Sequence, residues 1–218
     1  MSASEALAHL IASDEGRDFR QLALLDAKGG VSAYTGAKCI EAAGHIEGEG
    51  FSVQANLMGN ESVWPAMAQA FQQSQGLPLA ERLLRTLEAA EAQGGDIRGK
   101  QSAALLVVSA QNTGQPWVDR KIDLRIDDHP APLVELRRLL AVHQAYGFMN
   151  AGDLAVEKGD MQKAMEAYGA AEALFPDNLE MKYWHAIALA NSGRLQEALP
   201  LFGAVFKKDG NWKILTPR

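Results

Sequence analysis

The pattern of apolar and polar positions predicts a pair of strands in the middle of the chain. Ala103–Val108 is apolar at every position, which is typical of a strand covered on both faces. Lys121–Asp127 alternates apolar with charged residues, so we expect it to be the partner strand. We expect Trp117, in the loop between the two strands, to fold back against the edge of the core.

The first part of the chain has the pattern of a short helix followed by a hairpin. Ser2 and Glu5 have the spacing of a capping box, which predicts the helix. A Gly-Gly turn joins Arg20–Ala27 to Val31–Tyr34 and predicts a β-hairpin. The glycine-rich stretch Thr35–Gly50 is interpreted as a functional or connecting loop.

A further strand and two helices come next. The strand is predicted at Phe51–Leu57, and its polar face includes Gln54 and Asn56. That face fits either a solvated sheet surface or a polar site lined by amides and a hydroxyl. Apolar residues at helical spacing predict helices over Val63–Phe71 and Pro78–Ala92.

An internal repeat occupies the end of the chain, which is helical from Pro130 onward. A shift of 34 positions, the tetratricopeptide period, superimposes small and aromatic residues: Gly159, Gln162, Ala164, Tyr168, Gly169 and Ala170 on Gly193, Gln196, Ala198, Phe202, Gly203 and Ala204. Ala145–Asp177 and Asn178–Trp212 therefore resemble two tetratricopeptide repeats. The helix at Leu133–His143 is expected to cap one end of them by packing on the repeats.

This organisation predicts three regions. Residues 1–130 would form an α/β domain, 131–144 a connecting helix, and 145–218 a helical-repeat domain.

Composition and charge narrow the function classes. The net charge of -6 and the lack of a clustered basic stripe argue against nucleic-acid binding. The one tight basic pair, Arg137 and Arg138, is interpreted as two solvated helix positions.

Cys39, the sole cysteine, is interpreted as a core residue, and a lone cysteine excludes a Cys-based zinc cage. No signal-peptide pattern or long apolar run occurs, so we expect no membrane partner and, if Met1 is the true start, a cytoplasmic location.

Several stretches resemble the bacterial and archaeal family of unknown function numbered 1028, which is assigned to the Ntn-hydrolase superfamily. The resemblance covers about Ser4 to His143. Its residues are TGAKCI at 35–40, AGHIEGEGFSVQANLM at 43–58, GGDIRGKQSAALLVV at 94–108 and DLRIDDHPAPLVELRRLL at 123–140.

The resemblance implies a partial Ntn-hydrolase-like layered αββα sandwich, so that the whole chain is α+β, ending in an all-α pair of repeat hairpins. It also implies descent from an amide-bond hydrolase, in which the first residue of a strand is the nucleophile and its free amine is the base. Family members begin with strands upstream of the point that corresponds to Ser4. We therefore expect either a truncated start or a shortened form that has lost this chemistry, and no catalytic residue is assigned.

One group of candidate binding residues precedes the first central strand. Asp96, Arg98, Gln101 and Ser102 lie where the chain turns from a helix into that strand. Arg98 has the planar guanidinium that suits a substrate carboxylate. The alternative is an Asp96–Arg98 pair that only organises the loop.

A second group follows the partner strand. Asp127, Asp128 and His129 could join His45 and Glu47 in a metal site, but capping of the next helix by Asp128 is a sufficient explanation for one of them. His45 alone fits a hydrogen-bonding loop residue or a base. We therefore assign these residues to a candidate pocket and expect neither a metal nor another cofactor.

Two functions from different classes remain. The first is an Ntn-hydrolase-like protein that acts, or once acted, on an amide bond. The second is a non-catalytic assembly scaffold whose repeats bind a protein or peptide segment. A third, binding of a cell-wall glycan or peptide, rests only on the C-terminal regions of other family members. Exposed sheet edges are expected to make the chain a homo-oligomer.

Overall fold

The structure, a computed structural model, describes residues 1–216 and contains two compact units. The N-terminal unit, Met1–Arg137, is mixed α and β, and in the C-terminal unit, over residues 138–216, the regular elements are all helices. The predicted α+β class is therefore confirmed. In the described part of the chain, no helix combines the length and apolar character needed to cross a membrane.

The N-terminal unit contains three antiparallel sheets of two strands each. They pair β1 (Gln21–Leu25) with β2 (Val31–Thr35), β3 (Gly44–Gly48) with β4 (Phe51–Ala55), and β5 (Ala103–Val108) with β6 (Arg120–Ile126). The helices of this unit are α1 (Ala3–Ser13), α2 (Val63–Gln73), α3 (Leu79–Ala92) and the short α4 (Pro116–Asp119). The predicted first hairpin and the predicted helix pair are confirmed.

Asp26 fixes α1 to the turn of the first hairpin. Its carboxylate accepts hydrogen bonds from the backbone N–H groups of Ala3, at 3.0 Å, and of Lys28 and Gly30, at 2.8 and 2.9 Å. These donors favour the charged form and lower the pKa of Asp26, with the Ala3 bond as the largest cause. The predicted capping box of α1, between Ser2 and Glu5, is also present.

The prediction of a loop over 35–50 was wrong for Gly44–Gly48, which form β3. Gly44 and Gly48, which suggested a loop, are positions of close approach by aromatic rings. A Cβ atom on Gly44 would overlap the Trp64 ring, and one on Gly48 would overlap the Phe51 ring. Glycine in a strand often marks such close packing.

The prediction that Ala103–Val108 is covered on both faces was also wrong. Leu105 is buried, but Leu106 and Val108 are 51% and 57% exposed. The reason is architectural: β5 belongs to a two-stranded sheet with α3 on one side. An all-apolar run therefore has only one covered face here.

Three individual expectations also need correction. Trp117 is 77% exposed and does not pack on the core edge; it lies in α4, where Asp119 accepts hydrogen bonds from the backbone N–H and the hydroxyl of Thr113. Cys39 is half-buried, with its sulfur 3.6 Å from the carbonyl oxygen of Arg20, and is not a core residue. Arg137 is not simply solvated, since its guanidinium forms ion pairs with two glutamates of α3.

The C-terminal unit consists of paired helices with a continuous core. They are the later part of α5 (Pro132–Glu157), then α6 (Met161–Leu174), α7 (Leu179–Asn191), α8 (Leu195–Lys208) and α9 (Asn211–Leu215). The helix predicted at Leu133–His143 is part of α5, which continues without interruption to Glu157.

Small residues allow these helices to approach closely. Ala145, Ala164, Ala171 and Ala186 are fully buried in one apolar cluster. The Tyr168 ring lies against Gly152 of α5, where any side chain would overlap it. A small residue of α5 thus lies directly against an aromatic ring of α6.

Candidate functional site

A cleft of about 910 Å³ lies in the N-terminal unit, between the end of β4, the start of β5 and the helices α2 and α3. Most of the predicted pocket residues line it: Gln54, Asn56, Asp96, Arg98, Gln101, Ser102 and Asp128. Met67 and Leu87 form part of its apolar wall. The fold thus gathers these residues into one cleft, while their roles remain predictions.

Antiparallel pairing explains why residues from two distant loops meet there. Ala103 at the start of β5 faces Ile126 at the end of β6. The pairing continues past the strands, since the backbone N–H of His129 donates to the carbonyl oxygen of Gln101 at 2.8 Å. The segment before β5 and the segment after β6 therefore border the same opening.

Asp96 and Arg98 form a closed pair inside this loop. One carboxylate oxygen accepts from the Arg98 backbone N–H at 2.8 Å and from Nε at 3.0 Å, and the other accepts from Nη2 at 2.7 Å. The Arg98 side chain, through this hydrogen bonding, lowers the pKa of Asp96 to about 2. This geometry matches the organising role considered from the sequence. The Arg98 side chain is nevertheless 69% exposed.

Sequence reasoning missed the contacts that join the loop of Asp96 and Arg98 to the segment after β4. The backbone N–H of Ile97 donates to the carbonyl of Leu57 at 2.8 Å, and Met58 forms a β-bridge with Asp96. Leu57 has a φ of 64°, and no other non-glycine residue in the described range has a positive φ. Leu57 lies between the cleft residues Asn56 and Met58, and backbone strain of this kind often occurs at functional sites. The residue type gave no indication of this positive φ, because leucine rarely adopts this conformation.

Two further charged residues of the cleft were not predicted. Lys100 and Glu91 both line it and form an ion pair with an N–O distance of 2.8 Å. With the pair of Asp96 and Arg98, the cleft contains two ion pairs, beside the exposed carboxylate of Asp128. The cleft therefore offers hydrogen-bond donors and acceptors rather than a strong field of one sign.

Four predicted pocket residues do not line the cleft. The Nδ1 atom of His45 is 2.7 Å from Thr35 Oγ1, which joins β3 to β2. Glu47 accepts a hydrogen bond from the backbone N–H of Ala33 on β2.

His129, rather than Asp128, stabilises the turn before α5, because its Nδ1 accepts from the Ala131 N–H at 3.0 Å. Asp127 is exposed at the end of β6. Residues 1–216 contain no group of three or more His, Cys, Asp or Glu side chains suited to a metal ion.

A second surface, in the C-terminal unit, runs along α5 and α7. The hydroxyl of Tyr146 on α5 donates to Glu180 Oε2 on α7 at 2.8 Å. The two residues are 34 positions apart, so the bond joins equivalent points of successive repeats. We call the repeat face the set of residues on the same helical faces: Tyr146, Asn150, Asp153, Glu157, Glu180, Trp184, Ile187 and Asn191. All of them are exposed or half-buried.

These features define a class of protein: an α+β unit with a polar cleft, followed by a helical-repeat module of the kind that mediates protein interactions. The model of the "Family of unknown function (DUF1028)" matches residues 1–136, and the chain belongs to this family. A model described as "Tetratricopeptide repeat" matches residues 155–215. Both resemblances seen in the sequence are thereby confirmed.

A solved structure from the same family also matches this chain. The crystal structure of protein SPO2555 from Silicibacter pomeroyi, of the DUF1028 family, is 34% identical, with a TM-score of 0.55. The match covers 64% of this chain and 57% of that one, so the chain spans little more than half of that relative. None of the curated proteins matches this chain.

Proposed function

We propose that this protein is a non-catalytic interaction module whose helical repeats bind a segment of a partner protein. The observation that carries the proposal is the hydrogen bond between Tyr146 and Glu180. It aligns α5 and α7 side by side, so that their outward residues form one surface across two repeats. Stacked helical repeats use such extended surfaces for binding.

The proposal is tested by exposing the full chain to an array of short random-sequence peptides. We expect a subset to bind saturably with micromolar dissociation constants. Asn150→Trp places a large side chain on the repeat face and should weaken that binding by about tenfold or more, roughly 1.4 kcal/mol. Asn150 is exposed, so the substitution is compatible with folding.

The matched control is Gln162→Trp, which adds the same ring to the exposed surface of α6. It should leave peptide binding unchanged. The proposal fails if no peptide binds the intact chain, or if the two variants weaken binding equally.

The cleft supports a second candidate, an Ntn-type domain with the layered αββα arrangement, derived from an amide-bond hydrolase. Gln54, Asn56 and Gln101 carry amide groups that can both donate to and accept from a peptide bond. Arg98 adds an exposed side chain whose guanidinium suits a carboxylate. This combination suits a short peptide with a free C-terminus.

This candidate is tested by ligand-observed NMR with an N-acetyl dipeptide and its C-terminal amide. We expect the free acid to bind more tightly, and Arg98→Gln to remove the difference. Arg125→Gln, a similarly exposed arginine paired with Asp123, is the control and should change nothing. Equal binding of acid and amide to the intact chain would contradict the assignment. Release of free amine during the measurement would establish hydrolysis, and an intact ligand would support binding alone.

Self-association is the third part of the proposal. Within residues 1–216, β4 and β5 each pair with a single strand, and an apolar cavity of about 610 Å³ lies between them. Unpaired edges beside apolar surface favour pairing with another chain. We propose that a second copy covers this region, and a strictly monomeric mass by light scattering at micromolar concentration would refute it.

A further inference from the structure

We infer that the segment bound by the repeat face is cationic, with lysine or arginine residues interspersed among apolar ones. This inference rests on the proposed function and specifies the chemistry of its partner.

The charges on the repeat face have one sign. Its ionisable acids are Asp153, Glu157 and Glu180, and it contains no lysine or arginine. Three basic side chains of this unit form ion pairs outside the face: Lys182 with Glu172, Arg194 with Glu197, and Lys208 with Asp177. The negative charge of the face is therefore a local feature of two helices, which attracts a cationic segment and repels an acidic one.

The hydrogen-bond donors to these acids carry no positive charge. Asp153 accepts from the hydroxyl of Tyr168 at 2.6 Å, and Glu180 accepts from the hydroxyl of Tyr146 at 2.8 Å. Both donors are uncharged phenols, so neither bond pairs the carboxylate with a cation, and each carboxylate has further acceptor positions. Hydrogen bonding to Glu180, followed by burial, raises the pKa of Tyr146. That direction is expected for a phenol beside an ionised carboxylate.

An aromatic and an aliphatic side chain lie between the acids. Trp184 packs edge-on against Tyr183, with ring centroids 5.3 Å apart, and remains half-buried. Ile187 is one turn further along α7. Tryptophan is the best aromatic partner for a lysine or arginine cation, and its ring also accepts apolar contact. A cationic segment with apolar residues fits both parts of the surface.

The test uses a fluorescein-labelled peptide of lysine and leucine and two matched peptides in which every lysine is replaced by glutamine or by glutamate. Binding to the full chain is measured by fluorescence anisotropy. We expect the lysine peptide to bind at least about tenfold more tightly than the glutamate peptide, with the glutamine peptide in between. Added salt should weaken binding of the lysine peptide, because exposed charges are screened.

Two variants localise the effect. Glu157→Lys reverses one charge on the repeat face and should weaken lysine-peptide binding several-fold. Glu166→Lys makes the same change at an exposed position of α6 and should leave the affinity unchanged. Equal weakening by both variants would mean that only the total charge matters, and would overturn the inference.

The outcomes separate this inference from the function on which it rests. If random peptides bind at Asn150 but the glutamine or glutamate peptide binds as tightly as the lysine peptide, the repeats bind partners and the inference of a cationic segment is wrong. If no peptide of any kind binds, both fail.

Discussion

Arg137 of α5 and Glu88 of α3 form a two-point ion pair, with Nε 2.6 Å from Oε1 and Nη2 2.7 Å from Oε2. The same guanidinium is 3.3 Å from Glu81. Hydrogen bonding to Glu88 raises the pKa of Arg137, although burial opposes the shift. One arginine thus holds the start of α5 against α3 by bridging two acids.

We predict that Arg137→Met lowers the free energy of unfolding of the N-terminal unit by about 1 kcal/mol. The value is modest because the Arg137 side chain is 43% exposed, and solvent screens partly exposed pairs. Urea denaturation followed by circular dichroism measures it. Arg125→Met, which breaks the more exposed pair with Asp123, should change stability by less than about 0.5 kcal/mol. Equal losses would show that the bridging geometry contributes nothing.

The second prediction concerns the pKa of Asp96. A carboxyl-carbon NMR titration should give a pKa of about 2, because the side chain and backbone of Arg98 donate to the ionised form. In Arg98→Met the pKa should rise part of the way to its ordinary value, since the backbone N–H at position 98 remains. Arg125→Met should leave it unchanged.

The sign of the pH effect follows from this lowered pKa. The folded form binds the proton of Asp96 less tightly than the unfolded form, whose pKa is about 4. The stabilising contribution is therefore complete above about pH 4 and is lost as the pH falls towards 2. A loop that stayed equally ordered from pH 5 to pH 1.5 in the intact chain would contradict the pairing.

A pair of glycine substitutions in α5 tests the packing of the first repeat. In Gly152→Ala the new Cβ would lie 2.5 Å from the Tyr168 ring, so we expect a loss of about 1–3 kcal/mol from overpacking. Gly147→Ala, in the same helix with no atom within 4 Å of the new Cβ, should raise stability by about 0.5–1 kcal/mol. Thermal unfolding of both variants gives the comparison. A stabilised Gly152→Ala variant would show that α5 and α6 are further apart.

Tyr168→Phe tests the hydrogen bond to Asp153 through its pH dependence. Burial, followed by the bond to Asp153, raises the pKa of Tyr168 above its ordinary value of 10.0. A raised pKa stabilises the folded form below the unfolded pKa, and the contribution is lost as the pH rises above it. At pH 7 the variant should be less stable by about 1 kcal/mol.

The difference between Tyr168→Phe and the intact chain should shrink above about pH 10. Melting temperatures measured from pH 7 to pH 11 follow this change. A constant difference over the whole range would mean that the hydroxyl is not held by an ionised acid.

Local patterns explain the elements that the sequence predicted. The apolar stripes of α2 and α3, and the residues repeated every 34 positions, reflect contacts between neighbours on one helix face or between adjacent helices. The same reasoning missed β3. Its glycines are there because the rings of Trp64 and Phe51 occupy the adjacent space, and nothing in the residues around Gly44 encodes that approach.

By itself, the sequence determined the α+β class, the helical repeats and the two groups of polar residues near the ends of the central strands. Periodicity encodes these features because each depends on residues close together in the chain. Only the tertiary structure decided that Gln101 and His129 are adjacent, that His45 lies outside the cleft, and that Arg137 pairs with α3. Strand register and the paths of loops set those distances, and a side chain's partner is fixed by proximity in space rather than by its position in the chain.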